Sequence, residues 1–177
     1  ASDVYKRQSL NEDARQRDPE LMSPRQAWRA LQSSLPEDAI ISSDIGNNCA
    51  IGNAYPTFEE GRKYLAPGLF GPCGYGLPSI IGAKIACPEV PVVGFSGDGA
   101  FGICMNEMTA VGRDDWPAIR MVVFRNYQWG AEKRNTTLWY DNNFVGTELN
   151  RNVSYAGIAR ACGVEGIIVC LLYTSDA

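Results

Sequence analysis

Histidine is absent from all 177 residues. That removes Ser–His and Cys–His nucleophilic machinery and every metal site built on imidazole. Cysteine occurs six times (Cys49, Cys73, Cys87, Cys104, Cys162 and Cys170), but never as CxxC and never at metal-ligand spacing. Scattered thiols of this kind read as reduced cysteines of a cytoplasmic protein, not as a disulfide framework. No apolar run approaches the ~20 residues that a membrane span needs, and no secretory leader is visible. The charge balance is mildly acidic, with 16 Lys and Arg against 20 Asp and Glu. These cations are scattered, so no basic stripe suits a nucleic acid. Repeats and low-complexity segments are missing too. What remains is a chain of ordinary apolar content and single-domain length, able to bury a sizeable core.

Residues 1–8 and 170–177 continue no structural pattern and resemble translated adapter sequence, so they stand outside the expected fold. Residues 9–20 are charged, poor in apolar side chains, and read as a linker. The expected domain is 21–169, incomplete at its carboxyl end. Ser23-Pro24 supplies an N-cap and a first-turn proline. Ala27, Trp28, Ala30, Leu31 and Leu35 give that helix an apolar stripe, and Pro36 ends it. A buried strand follows at Ala39–Ile41, then a helix from Asn47 to Ala54. Pro56 to Gly68 reads as loop with a short strand at Lys63–Ala66. Gly82, Ala83 and Ala86 let a helix over Leu77–Ala86 approach a sheet closely. Val92–Ser96 is a buried strand, Phe101–Val111 a helix, and Ile119–Phe124 a second apolar strand. A long loop then runs to Asn152. A helix spans Ser154–Cys162, stopped by Gly163, with a last strand near Gly166–Val169. This alternation predicts an α/β fold: a doubly wound, mainly parallel sheet with helices on both faces.

The most informative run is Gly97-Asp98-Gly99-Ala100, with Asn126 lying 28 positions beyond Asp98. The run follows the Val92 strand, and Asn126 follows the Ile119 strand. A carboxylate and an amide oxygen are thereby delivered to strand carboxyl ends, where open α/β sheets bind ligands. A helix starting near Gly99 or Ala100 turns N–H groups and the positive end of its dipole to the same spot, which suits a phosphate. Hard oxygen donors of this kind suit Mg²⁺ bridging protein and phosphates. The rival reading is plain structure: Gly-Asp-Gly is an ordinary turn, and Asp is favoured at a helix N-cap.

Three segments, in this order, resemble the thiamine diphosphate (ThDP) enzyme family. They are Ser43-Asp44-Ile45-Gly46-Asn47-Asn48, Gly71-Pro72-Cys73-Gly74-Tyr75-Gly76-Leu77-Pro78, and the Gly97–Ala100 run with its Asn126. The resemblance covers roughly Leu21 to Val169 and implies the family's parallel α/β diphosphate-binding domain. It implies that Gly46, Asn47 and Asn48 reach the diphosphate, as do Gly97, Asp98, Gly99, Ala100 and Asn126. It implies that the Gly71 carbonyl and the Cys73 N–H bond the aminopyrimidine, with Pro72 between them. Asp98, Asn126 and the backbone oxygen of Gln128 would ligate Mg²⁺, with two diphosphate oxygens and a water completing an octahedron. Two departures stand out. Arg125 occupies a place where the family has Asn, which bears on packing at the strand end. Cys73 is smaller than the aliphatic residue common at its position. No catalytic side chain is expected within these residues, because the cofactor supplies the carbanion. The activating glutamate is expected on a separate domain of a neighbouring subunit, which implies a homo-oligomer, dimer or tetramer, for the full-length protein.

Asn126–Lys133 and Phe144–Leu149 resemble one branch of that family. Its members convert sulfoacetaldehyde and phosphate into acetyl phosphate and sulfite, an acyl transfer in sulfonate and taurine degradation. Lys133 and Arg134 would then face the anionic substrate; a solvated charged pair is the plainer reading. The alternative within the family is an acetolactate-synthase-like or decarboxylase activity. From another class, the chain could be a non-catalytic binding or assembly module, against which the retained Asp98, Asn126 and glycines argue. A reactive Cys73 has no basic neighbour in sequence. Trp129, Trp139 and Tyr140 read as loop-packing or subunit-contact residues.

Overall fold

A computed structural model describes residues 23–54 and 63–169. The foreign-looking ends, the linker at 9–20 and residues 56–62 of the expected loop lie outside the described residues. Helix α1 (Pro24–Ser34) opens where Ser23 and Pro24 predict it. Its cap is reciprocal: Ser23 Oγ accepts the Gln26 N–H at 3.2 Å, and Gln26 Oε1 accepts the Ser23 N–H at 2.9 Å. There follow β1 (Ile40–Ser43), α2 (Asn47–Ala54), β2 (Lys63–Leu65), α3 (Gly76–Ala86), β3 (Val92–Gly97) and α4 (Asp98–Cys104). A 3-10 turn at Met105–Glu107 leads to α5 (Met108–Val111), β4 (Arg120–Phe124), α6 (Gly130–Trp139) and α7 (Tyr155–Ala161).

The four strands are parallel, in the order β2-β1-β3-β4. From β1 the chain moves outward one way, to β2; from β3 it moves the other way, to β4. The sheet is therefore doubly wound, and its switch point is the crevice between the carboxyl ends of β1 and β3. Period-2 alternation divides the strand side chains between two cores. Ile40 and Val92, aligned across β1 and β3, join Leu77, Ile80, Phe101 and Met108 on one face. Ile41 and Val93, the next aligned pair, join Trp28 and Phe95 on the other. Trp28 is 1% exposed, its ring centroid 4.2 Å from that of Phe95 and 5.9 Å from that of Phe124. The close approach of α3 depends on a glycine of the strand instead of one in the helix. A Cβ on Gly94 would lie 2.6 Å from Met121 Sδ and 3.0 Å from Ile80 Cδ1, whereas Gly82 faces open space.

Three expectations are corrected. The helix after the glycines begins at Asp98, and the 3-10 turn at Met105–Glu107 interrupts it. The span up to Asn152 is not all loop, since α6 occupies Gly130–Trp139. No residue of α6 is buried, so no apolar stripe marks it. The Thr136 and Thr137 hydroxyls also bond back to the carbonyls of Glu132 and Lys133, a habit that lowers helix propensity. Residues 164–169 form no strand. The five described cysteines are free, and no described helix is long and apolar enough to cross a membrane.

Candidate functional site

Asp98 and Asn126 follow neighbouring parallel strands, β3 and β4, whose last aligned pair is Gly97 and Phe124. Asp98 is the first residue of α4 and only 2% exposed. Its Oδ1 accepts the Gly99 N–H at 3.1 Å and its Oδ2 the Tyr127 N–H at 2.7 Å. Among the described residues no Lys or Arg pairs with it. Burial pushes its carboxyl above the ordinary value, against the pull of the surrounding N–H groups. A buried carboxylate with no counter-charge is a place that a cation stabilises. Asn126 Oδ1 accepts the Gln128 N–H at 3.2 Å. Between them Tyr127 has φ +61°, a left-handed conformation uncommon for a bulky residue and frequent at functional turns. Gln128 forms an antiparallel bridge with Glu148, whose two bonds use the Tyr127 carbonyl and the Trp129 N–H. The Gln128 carbonyl stands outside both.

Helix α2 brings amides to the same crevice. Asn47 Nδ2 and Asn126 Nδ2 each lie 2.9 Å from where a Cβ on Gly130 would stand, and Asn48 Nδ2 lies 3.3 Å from such an atom on Gly97. Gly46, at φ +102°, turns the chain from β1 into α2. N–H donors suited to an anion therefore meet a carboxylate and an amide oxygen suited to a cation. Trp129 closes the other side: a Cβ on Gly99 would lie 2.8 Å from its ring.

The Gly71–Pro78 segment packs beside this crevice. Gly71 and Gly74 take φ +55° and +85°, conformations glycine adopts without strain. Among the described residues neither the Gly71 carbonyl nor the Cys73 N–H is taken up by a hydrogen bond. Pro72, Cys73, Gly74, Tyr75, Pro78 and Ser79 line a shallow, open depression. Partial desolvation of the Cys73 sulfur, then the Asp44 and Glu132 carboxylates, hold its thiol above the ordinary value, which disfavours a reactive thiolate. Asp44 is not among the expected ligands, yet it is fully buried and its carboxylate accepts four backbone N–H groups. The available signal was an acid placed directly after a buried strand, where only N–H donors could satisfy it.

The departures and the expected cations also find places. Arg125 donates to the Arg151 carbonyl at 2.8 Å and to that of Val153. Its guanidinium lies 4.5 Å from the Tyr127 ring centroid, with that of Arg151 at 5.3 Å from the same ring. The strand end is thus tied down by Arg125, not loosened. Lys133 pairs with Glu148 and lies 5.1 Å from the Phe144 ring, so its charge is committed to α6's own neighbourhood. Arg134 is exposed. Trp139 and Tyr140 are exposed and line no part of the crevice described above.

Comparison with known proteins bears on the family and the fold. The family description "Thiamine pyrophosphate enzyme, C-terminal TPP binding domain" matches residues 44–174. A probable sulfoacetaldehyde acetyltransferase of Rhizobium meliloti (strain 1021) is 77% identical over 159 residues, covering 90% of this chain and 27% of the relative. A sulfoacetaldehyde acetyltransferase of Roseovarius nubinhibens is 75% identical over 158 residues, covering 89% of this chain and 26% of its own. The chain thus spans about a quarter of the length of the curated relatives it matches. Among solved structures, the thiamine diphosphate-dependent 4-hydroxybenzoylformate decarboxylase of Rhodococcus jostii RHA1 superposes with a TM-score of 0.81. That match covers 90% of this chain and 30% of the decarboxylase at 20% identity, a likeness of fold alone. The chain belongs to the thiamine pyrophosphate enzymes, and the part of them it carries is the C-terminal cofactor-binding domain.

Proposed function

We propose that this chain forms the diphosphate and metal half of the active site of a ThDP- and Mg²⁺-dependent sulfoacetaldehyde acetyltransferase. The reaction is conversion of sulfoacetaldehyde and phosphate to acetyl phosphate and sulfite. The observation that carries the cofactor half is Asp98: a carboxylate 2% exposed, with no cationic partner among the described residues, at a strand end beside Asn126. The substrate half rests on relatives at 77% and 75% identity whose names state it. Those relatives favour this reading over an acetolactate-synthase-like or decarboxylase activity.

In this reading Asp98, Asn126 and the Gln128 carbonyl hold Mg²⁺, a hard-oxygen set that leaves room for phosphate oxygens and water. A cation beside Asp98 reverses the effect of burial and favours the ionised carboxylate. The Asn47 and Asn48 amides, with the turns at Gly46 and Gly97 to Ala100, hold the diphosphate. The Gly71 carbonyl and the Cys73 N–H, flanking Pro72, hold the aminopyrimidine. The chemistry that ThDP supplies when bound is a stabilised carbanion; the protein's part is to fix its position and exclude water. Of the two cations expected at the mouth, Lys133 is committed to Glu148, so Arg134 is the one left to meet the sulfonate. The reading extends to a cytoplasmic homo-oligomer.

Calorimetry on a protein of the relatives' full length tests the cofactor half. ThDP should bind only with Mg²⁺ present, and Asp98→Ala should weaken binding by about 100-fold, at least what supporting residues of metal sites contribute. Equal affinity in the variant would leave Asp98 a helix-end residue and nothing more. Acetyl phosphate formation tests the substrate half. Turnover of pyruvate without turnover of sulfoacetaldehyde would overturn the assignment.

A further inference from the structure

We infer that Asp44 is a positioning residue that locks the diphosphate turn to the aminopyrimidine turn and so sets how the two ends of the cofactor lie relative to each other. The inference rests on the ThDP reading of the site. Asp44 follows β1 directly, at the switch point of the sheet, and is fully buried. Its Oδ1 accepts the N–H groups of Ile45 at 2.8 Å, Gly74 at 3.0 Å and Tyr75 at 3.3 Å, and its Oδ2 accepts that of Gly76 at 2.8 Å. Among the described residues no cation pairs with it, so these dipoles alone satisfy the charge. Hydrogen bonds to an ionised acceptor are stronger than neutral ones.

Three of the four donors belong to one turn, 30 to 32 positions away in sequence. That turn is rich in glycine and has little conformational preference of its own, so its placement comes from outside. The Ser42 and Ser79 hydroxyls, 2.6 Å apart, make a second tie between the same two segments. Asp44 also sits two residues before Gly46 and three before Asn47, whose amide, like that of Asn126, lies 2.9 Å from where a Cβ on Gly130 would stand. One carboxylate therefore connects the segment proposed for the ring to the segment proposed for the diphosphate. It touches neither ligand itself.

The test compares two probes on a protein of the relatives' full length: ThDP with Mg²⁺, and inorganic diphosphate with Mg²⁺. Asp44→Asn keeps the shape and one acceptor oxygen for the Oδ1 donors, but sets an amide N–H against the Gly76 N–H. Expected is a ThDP dissociation constant raised about 10- to 100-fold, the range for residues that support a site at one remove. The constant for inorganic diphosphate should stay within about twofold, because that probe has no ring to be misplaced. Gly76→Ala disturbs the same contact with the charge retained, since its Cβ would lie 3.1 Å from Asp44 Oδ2. It should reproduce the split, and it decides the matter if Asp44→Asn does not fold. Equal loss of both probes would make Asp44 a fold residue only, and loss of neither would make it dispensable; either overturns the inference. Wild-type protein that fails to bind ThDP with Mg²⁺ would instead refute the cofactor reading on which it rests.

Discussion

Burial makes the ionised form of Asp98 costly to the fold. Its folded pKa is raised above the ordinary value of 3.8 by burial, so the folded state holds the proton more tightly than the unfolded chain. Its contribution to stability is full below the unfolded value and is lost as pH rises through the folded one. Asp98→Asn should remove that part of the slope, and Mg²⁺ with ThDP should suppress it in the wild type. Melting temperature followed from about pH 4 to 7, the range spanned by shifted carboxylates, reads both effects. Parallel profiles for wild type and variant would contradict the account. The thiols separate by the same physics. Burial pushes Cys104 up to about 11, so it should resist iodoacetamide at neutral pH, whereas exposed Cys73 should react slowly and be protected by ThDP. Mass spectrometry of the labelled protein would show it, and a Cys73 rate indifferent to ThDP would remove that residue from the ring cradle. Asp98 and Asn126 are legible in the sequence because each stands within two residues of the end of an apolar strand. Asp44 follows a strand in the same way, but its part in joining two turns is not legible, because three of its four donors lie 30 to 32 residues on and only folding brings them together.

At the scale of elements, legibility follows burial. Helix α1 is announced by its cap and stripe, β1 and β3 by apolar runs that end up buried inside the sheet, and β4, half-buried at its edge, by a run of the same kind. Helix α6 buries nothing, so tertiary contacts that leave no hydrophobic pattern decide it: the Lys133–Glu148 pair and the bridge at Gln128. The interruption at Met105–Glu107 is likewise invisible to periodicity, since the apolar positions continue across it. One substitution probes how α6 serves the crevice. Gly→Ala in an exposed helix normally stabilises by up to ~1 kcal/mol. At Gly130 the added Cβ would meet the amides of Asn47 and Asn126 at 2.9 Å. Gly130→Ala should therefore leave stability in urea unchanged or higher while weakening ThDP binding about tenfold, as a displaced supporting group does. A variant that loses stability and affinity together would show that α6 holds the fold, not the site.

Among the described residues, exposed apolar side chains gather at Leu69 and Phe70 in one turn, around the end of α6 at Leu138, Trp139, Tyr140, Phe144 and Val145, and at Ile167, Ile168 and Val169, with Ile85 and Ile103 apart from these. The other aromatics near the first turn, Tyr75 and Trp129, are half-buried. The chain spans about a quarter of the relatives' length, and the resemblance implies that the glutamate facing the pyrimidine lies outside these residues. The 177-residue polypeptide on its own should therefore form no acetyl phosphate from sulfoacetaldehyde and phosphate with ThDP and Mg²⁺ present. It should also self-associate, as large exposed apolar patches do, which sedimentation would detect. Turnover at an ordinary enzymatic rate would mean that the activating acid lies within this chain. The donor set at the switch-point crevice carries a consequence for life in a cell. Zn²⁺ and Cu²⁺ outcompete Mg²⁺ wherever nitrogen or sulfur is offered. Among the described residues no three His, Cys, Asp or Glu side chains gather to hold a metal. On the reading proposed above, a newly made chain offers too few oxygens to hold a cation by itself, so Mg²⁺ and the diphosphate should arrive as one unit, each completing the other's site.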